Sequence, residues 1–457
     1  MSDKKTPPGD VENPAGQAPQ SASAETEGSE VAVPRGKASS FSLGIIWNMG
    51  SLIFLALAGF ILNIVIGRVY GPEALGVFNI AFALYIFLSQ FGSFGLHFSI
   101  LQAISEHAQR DQAKVDDAAA QGFVAVLIAS ASATAFGLLL TPVFGWIFDI
   151  DGLTSAWLLI LPGLFAFSLN KFLYGVINGA RHMRTFAVLQ ALRYILILLS
   201  LVGLYVARAP AHWLTLVFTI AELVLLPILF FYASHVVTRW PWQGERSWLK
   251  QHFFFGARAF LSGAILELNT RVDVLLIGFY LNEERVGVFS IALLIAEGAS
   301  QAIFAIRNNV NPHLARFVAD KDVDGLLKFS RKIASAFTAF MIVVSSVTVF
   351  AFPIFDALVF EEGVYADAQM PLAFLMGGLA LSSGLFCFNM ILSQAKKPGA
   401  HSLYVMSVLL VNVVLNALLI PVFGITGSGI ATGLSYIYAV IAIVIIARKV
   451  LGVRILV

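Results

Sequence analysis

The sequence predicts an all-α integral membrane protein, about twelve transmembrane helices arranged as two parallel-repeat six-helix lobes. Three observations lead there. Of 457 residues, 58% are hydrophobic and only 12% charged, against roughly 25% charged in ordinary soluble domains. Apolar runs of about 20 residues, the length that crosses a bilayer, recur along the chain. A sixteen-residue pattern at the end of the first run returns 211 residues later.

Taken in order, residues 1–42 are rich in Pro, Ser, Ala, Gly and Glu and lack the apolar core of a cleavable signal, so they are expected to form a disordered cytoplasmic tail. The first lobe, 43–238, holds spans at 43–66, 76–101, 119–147, 155–179, 185–206 and 212–236. A polar stretch, 239–252, links it to the second lobe, 253–450, and residues 451–457 close the chain as a cytoplasmic tail. The second lobe's spans are 253–280, 286–306, 333–360, 368–393, 403–422 and 427–447. The turns near Gly71, Arg208 and Pro421 are so short that the spans they join form helical hairpins. The charged stretches 108–118 and 319–325 read as short surface helices. Pro162-Gly163 and Gly377-Gly378 mark places where a helix can bend or pack closely against a neighbour.

Orientation follows from the basic residues. On this topology the terminal segments and the loops on their side carry 22 Lys and Arg, whereas the opposite loops carry only Arg68, Arg208 and Arg285. That asymmetry puts both termini in the cytoplasm of a multi-pass protein. A net charge of +2 leaves no basic excess for nucleic acid, so no nucleic-acid partner is expected. Cys387 is the only cysteine, the eight histidines show no paired-ligand spacing, and no Gly-rich Lys-Ser/Thr phosphate loop occurs. No cofactor, metal or catalytic residue is therefore expected, and the chain does not read as an enzyme.

The repeated pattern aligns Ile66 to Ala81 with Ile277 to Ala292 at eight identical positions, among them Glu73/Glu284, Gly76/Gly287, Val77/Val288 and Phe78/Phe289. A duplication separated by six spans keeps both halves in one orientation, related by an axis along the membrane normal, and puts a substrate path at their interface. With the seventh span's Asn269, Arg271 and Asp273 before Ile277-Gly278, this arrangement resembles the polysaccharide-type flippases of the multidrug/oligosaccharidyl-lipid/polysaccharide exporter superfamily. The resemblance covers residues 43–450 and implies a MATE-like architecture in one monomeric chain. It also implies export of a polyprenyl-diphosphate-linked oligosaccharide by alternating access, for capsule, O-antigen or exopolysaccharide synthesis. The partners so implied are the lipid-linked oligosaccharide, membrane lipids, and a polysaccharide polymerase or glycosyltransferases. The alternative within the superfamily is an ion-coupled antiporter for drugs or metabolites.

Ionisable groups inside spans are costly and therefore candidates for function. Four are basic, Lys171, Arg193, Arg258 and Arg271, and four acidic, Glu222, Glu267, Asp273 and Glu297. A lipid diphosphate needs cations along its path, which makes the basic four substrate-binding candidates. Arg258 can equally reach the cytoplasmic interface, and Glu267 and Arg271, four apart on one face, can pair with each other. Lys171 and Arg193 have no acid on their own helices. The acidic four are candidates for ion coupling or for pairing with the arginines. Polar span residues such as His97, Asn170, Asn178, Gln190, Asn412 and Asn416 suit either a sugar path or hydrogen bonds between helices.

Overall fold

The computed structural model describes residues 35–240, 245–320, 322–360 and 363–452. Among these there is no strand, and twelve α-helices carry the chain. They are α1 (Arg35–Ser93), α2 (Leu96–His107), α3 (Gln112–Phe148), α4 (Leu153–Gly179), α5 (Met183–Val206), α6 (Leu216–Ala233), α7 (Ser247–Tyr280), α8 (Glu283–Asp320), α9 (Val323–Val359), α10 (Gln369–Phe386), α11 (Ile391–Gln394) and α12 (Pro398–Leu451). Residues 44–457 form one compact unit. Most of the stretch expected as a disordered tail, 1–34, lies outside the described residues, but 35–42 are already helical.

Two helices double back. Gly71 in α1 has φ +84°, and the chain on either side of it returns on itself. Asn79 Nδ2 donates to Asn63 Oδ1 at 3.1 Å, although sixteen residues of straight helix would span about 24 Å. In α12 the break is Gly424 at φ +59°, and Ser428 Oγ reaches Asn416 Oδ1 at 2.7 Å. Glycine is required at both points because a side chain disfavours the left-handed region. Among the described residues nine helices, α1 and α12 included, are long and apolar enough to cross a membrane. Counting the two hairpins double and adding α7 gives twelve passes, as the sequence predicts.

The outer surface is apolar where a soluble protein would be polar: Trp146, Leu139, Phe350, Leu358 and Val422 are all more than 70% exposed. Inside, Trp157, Tyr85, Phe172 and Phe289 are fully enclosed, and the Trp157 indole donates to the Gly137 carbonyl at 3.1 Å. Pro162-Gly163 serves packing. Thr219 Oγ1 on α6 donates to Leu159 O at 2.6 Å and accepts from Gly163 N at 3.1 Å, so the hydroxyl is inserted between two groups that an unbroken helix would bond directly. A Cβ at Gly163 would collide with Thr219, and one at Gly378 with Gly433.

The duplication is visible in the contacts. A Cβ on Gly76 would run into the backbone carbonyl of Glu283, and one on Gly287 into that of Pro72. Each pair is the other shifted by 211, so the two copies meet through the same surface, as elements related by a local two-fold do. The linkers after the second and eighth spans are not separate surface helices. They are the opening turns of α3 and α9, capped by Asp111 accepting from Lys114 N at 3.2 Å and Asp322 accepting from Gly325 N at 2.8 Å. These two aspartates are again 211 apart.

Helix α7 starts at Ser247, inside the polar stretch 239–252. Its first turns are fastened to α2 and α3 by the buried His252, whose Nδ1 lies 2.8 Å from Ser99 Oγ and Nε2 2.9 Å from Ala118 O. The Ala118 carbonyl can only accept, so Nε2 carries the proton and Nδ1 accepts from Ser99. Farther along, α7 packs on α12.

Candidate functional site: two cavities and two polar clusters

The charged span residues gather around two adjoining cavities. The first, about 260 Å³, lies between the α1 hairpin and α7 and α8, with Arg193, Arg271 and Glu297 in its wall. The second, about 300 Å³, lies among α2, α4 and α5 and is lined by His97, Asn170, Lys171, Tyr174, Asn178 and Gln190. Leu55, Arg193 and Tyr194 belong to both walls. Three of the four predicted cationic residues thus come together. Arg258 does not: it is exposed on the early part of α7, as a side chain reaching for an interface would be.

Arg193 is held from behind. Its Nε donates to Glu222 Oε1 at 2.5 Å, and Glu222, from α6, is fully buried. Asn170 Nδ2 donates to the other carboxylate oxygen at 2.8 Å and to the Glu222 carbonyl at 2.9 Å. The guanidinium also lies over the rings of Phe167 and Tyr194, 5.0 and 5.5 Å from their centroids. Although its own helix carries no acid, Arg193 is therefore paired across helices. Glu222, a coupling candidate by sequence, is the fixed counter-ion that sets this guanidinium in place.

Arg271 behaves differently. Its expected partner four residues earlier, Glu267, is not the one it takes. Arg271 Nη1 stands 3.6 Å from Glu297 Oε1 of α8, with 25% and 38% of the two side chains exposed, and the guanidinium lies 5.4 Å from the Phe82 ring centroid. The i,i+4 pairing yields because the cavity lies between α7 and α8, where Arg271 meets Glu297 and an aromatic face together. Glu267 instead interacts electrostatically with Lys171 of α4, and that ammonium lies 5.8 Å from the Phe167 centroid.

Asp273 occupies a separate cluster between α7 and α12. The carboxylate is 2% exposed. Asn416 Nδ2 donates to one of its oxygens at 2.9 Å and Thr432 Oγ1 to the other at 2.8 Å. Asn416 Nδ2 also touches the Asn412 carbonyl at 3.0 Å and the Asn412 amide oxygen, while Ser428 Oγ donates to Asn416 Oδ1. Both hydrogen-bond partners of the carboxylate are neutral, and the bonds gather the oxygens of Asp273, Asn412, Asn416, Ser428 and Thr432 into one cluster, the ligand chemistry that hard cations favour. Asn412 and Asn416, like Ser428 and Thr432, are four apart. That spacing puts each pair on one helix face and is the signal from which the cluster could have been read. The Asn170–Glu222 lock left no comparable trace, because it joins helices 52 residues apart.

The charged groups thus fall into a cavity with Arg193 and Arg271 in its wall and a separate buried cluster around Asp273. The model of the family described as polysaccharide biosynthesis protein matches residues 42–318, more than half of the chain. This chain belongs to that family. Comparison with curated protein sequences gives no match. Among solved structures, the fold is similar to an inward-facing multidrug resistance MATE family transporter of the MOP superfamily (TM-score 0.72, 14% identity, 87% of this chain and 94% of that one). It is similar to the lipid II flippase MurJ in an inward closed conformation (TM-score 0.71, 14% identity, 88% and 87%). It is also similar to a MOP superfamily transporter from Pyrococcus furiosus described as having a binding pocket of reverse polarity (TM-score 0.61, 14% identity, 90% and 94%). The chain is thus a multi-pass membrane protein with the MOP superfamily fold.

Proposed function

We propose that this protein is a flippase that carries a polyprenyl-diphosphate-linked oligosaccharide across the bacterial inner membrane, with both termini in the cytoplasm, for cell-surface polysaccharide synthesis. The observation that carries the reading is the central cavity, in which Arg193 and Arg271 share one wall. A guanidinium stays charged at any relevant pH and binds a phosphate through two parallel hydrogen bonds. The same cavity shares Phe60, Leu294 and Gly298 with an apolar cavity that continues to Phe352 and Phe355 of α9. A polar head beside an apolar flank suits a lipid whose tail stays in the bilayer.

On this reading the six-helix lobes, 43–238 and 253–450, alternate about the substrate, and the paired glycine contacts at Gly76 and Gly287 close the outer side. The half-buried, 3.6 Å Arg271–Glu297 pair opens as the diphosphate takes the guanidinium. Asp273, solvated by neutral groups, is the seat of a coupling sodium ion or proton.

The MATE-type antiporter reading is favoured by Asp273 alone, since a cationic drug would also seek a buried carboxylate. Proteoliposomes separate the two. Translocation of a fluorescent undecaprenyl-diphosphate oligosaccharide that is lost in Arg271→Ala, with the variant still folded, is the expected outcome. Absence of lipid movement together with exchange of a cationic dye against sodium or protons would overturn it.

A further inference from the structure

The second cavity, among α2, α4 and α5, is assigned no role by the diphosphate chemistry. Its wall contains Lys171, but also several polar atoms that make no hydrogen bond: Asn170 Oδ1, Gln190 Oε1, Tyr174 Oη and His97 Nδ1. Asn170 decides what these atoms need. The residue is 1% exposed, and its Nδ2 is committed to two acceptors on Glu222, one of them a carboxylate oxygen. The amide cannot be turned around without setting two oxygens against each other, so the atom left without a partner in this wall residue is an acceptor. A buried acceptor calls for a donor, which a ligand carrying hydroxyl or N–H groups can bring.

A phosphate is the wrong ligand for it. Diphosphate oxygens are acceptors, and against Asn170 Oδ1 they would add repulsion. A sugar ring carries hydroxyl or acetamido groups that both donate and accept. It can give a hydrogen to Asn170 Oδ1 and Gln190 Oε1 while taking one from Tyr174 Oη or the Lys171 ammonium. The surrounding rings of Phe98, Phe167 and Tyr194 offer flat apolar walls for the ring's C–H face. The shared wall at Leu55, Arg193 and Tyr194 joins this cavity to the one with Arg271, as a glycan joined to a diphosphate would require.

We infer that the cavity lined by Asn170, Lys171, Tyr174 and Gln190 is the saccharide subsite, holding a hydroxyl- or acetamido-bearing ring while the diphosphate lies against Arg193 and Arg271. The inference rests on the flippase reading above and divides its substrate between two cavities. Lys171 thereby becomes a sugar-contacting residue rather than a phosphate ligand. Selection among sugars belongs to α4 and α5, and the central cavity reads only the diphosphate common to all such lipids.

The test compares two ligands on the full chain in nanodiscs by native mass spectrometry or thermophoresis: undecaprenyl diphosphate, and the same lipid diphosphate bearing N-acetylglucosamine. The wild type is expected to bind the sugar-bearing lipid about tenfold more tightly. Gln190→Leu and Tyr174→Phe should each remove most of that preference and leave affinity for the sugar-free lipid within about twofold, whereas Arg271→Ala should weaken both lipids alike. Two substitutions on different helices, each checked for an unchanged melting temperature, separate lost contact from lost fold. A wild type that binds both lipids equally overturns the subsite and leaves the flippase reading standing. So do substitutions that weaken both lipids to the same extent, or weaken neither. A wild type that binds neither lipid overturns both.

Discussion

The first and second halves of the chain each bury a carboxylate between helices, and they neutralise it in opposite ways. In the first half Glu222 has a full cationic partner, Arg193, 2.5 Å away, with Asn170 occupying its remaining oxygen. In the second half Asp273 has only the neutral Asn416 and Thr432. A carboxylate matched by a built-in guanidinium has no call on an ion from outside and serves to hold that guanidinium at a cavity wall. A carboxylate among neutral donors keeps an unmet charge, which on the proposed reading a proton or metal cation supplies. Duplication thus produced two halves with the same backbone contacts at Gly76 and Gly287 but different electrostatic duties.

The sharpest way to break this comparison is to remove each acid. Glu222→Ala leaves a buried guanidinium without its partner and should cost about 3–5 kcal/mol, read as a large fall in melting temperature in detergent. The double substitution Arg193→Met with Glu222→Leu should recover most of the loss. Asp273→Asn should melt no lower than wild type in sodium-free buffer, because it removes an unmatched charge. A fall as large as that of Glu222→Ala would show that Asp273 has a cationic partner after all.

The likeness of the halves is tested by the paired glycines. Gly76→Val and Gly287→Val each press a side chain onto a backbone carbonyl of the other copy and should destabilise by about 1–3 kcal/mol. The two-fold relation requires similar effects, so a melting series in which one is neutral and the other severe would contradict it. Smaller still are the two caps. Asp111→Ala and Asp322→Ala each remove one hydrogen bond to a helix N-terminus, worth about 1 kcal/mol, and denaturant titration should find them equivalent.

Much of the fold was legible because it is written in local periodicity and in the duplication. Apolar run length gave the spans, and the short turn at Gly71 gave a hairpin whose reality Asn63 and Asn79 demonstrate. The matched caps at Asp111 and Asp322 were readable too, by carrying the 211-residue offset beyond the aligned motif. A reading of the charged linkers as separate surface helices hides them, because a cap is legible only where the helix start is placed. The site was less legible because ion pairs inside a bundle form between helices distant in sequence. Glu267 is the acid on Arg271's own helix face, four residues back, and the pair instead forms with Glu297, 26 residues on. Nothing in one helix reveals which neighbour's acid will face it. What can be read is the type of residue that a membrane does not tolerate without purpose, which names Lys171, Arg193 and Arg271 as candidates but not that they come together.

The division of labour between the halves is tested most directly by lipid concentration series in proteoliposomes, with and without a sodium or proton gradient, for wild type, Arg271→Ala and Asp273→Asn. The account predicts that Arg271→Ala raises the lipid concentration for half-maximal translocation and keeps the response to the gradient. It predicts that Asp273→Asn leaves the half-maximal concentration unchanged and abolishes that response. If Asp273→Asn weakens lipid binding as much as Arg271→Ala does and the gradient response survives, the opposite roles assigned to the two halves are wrong.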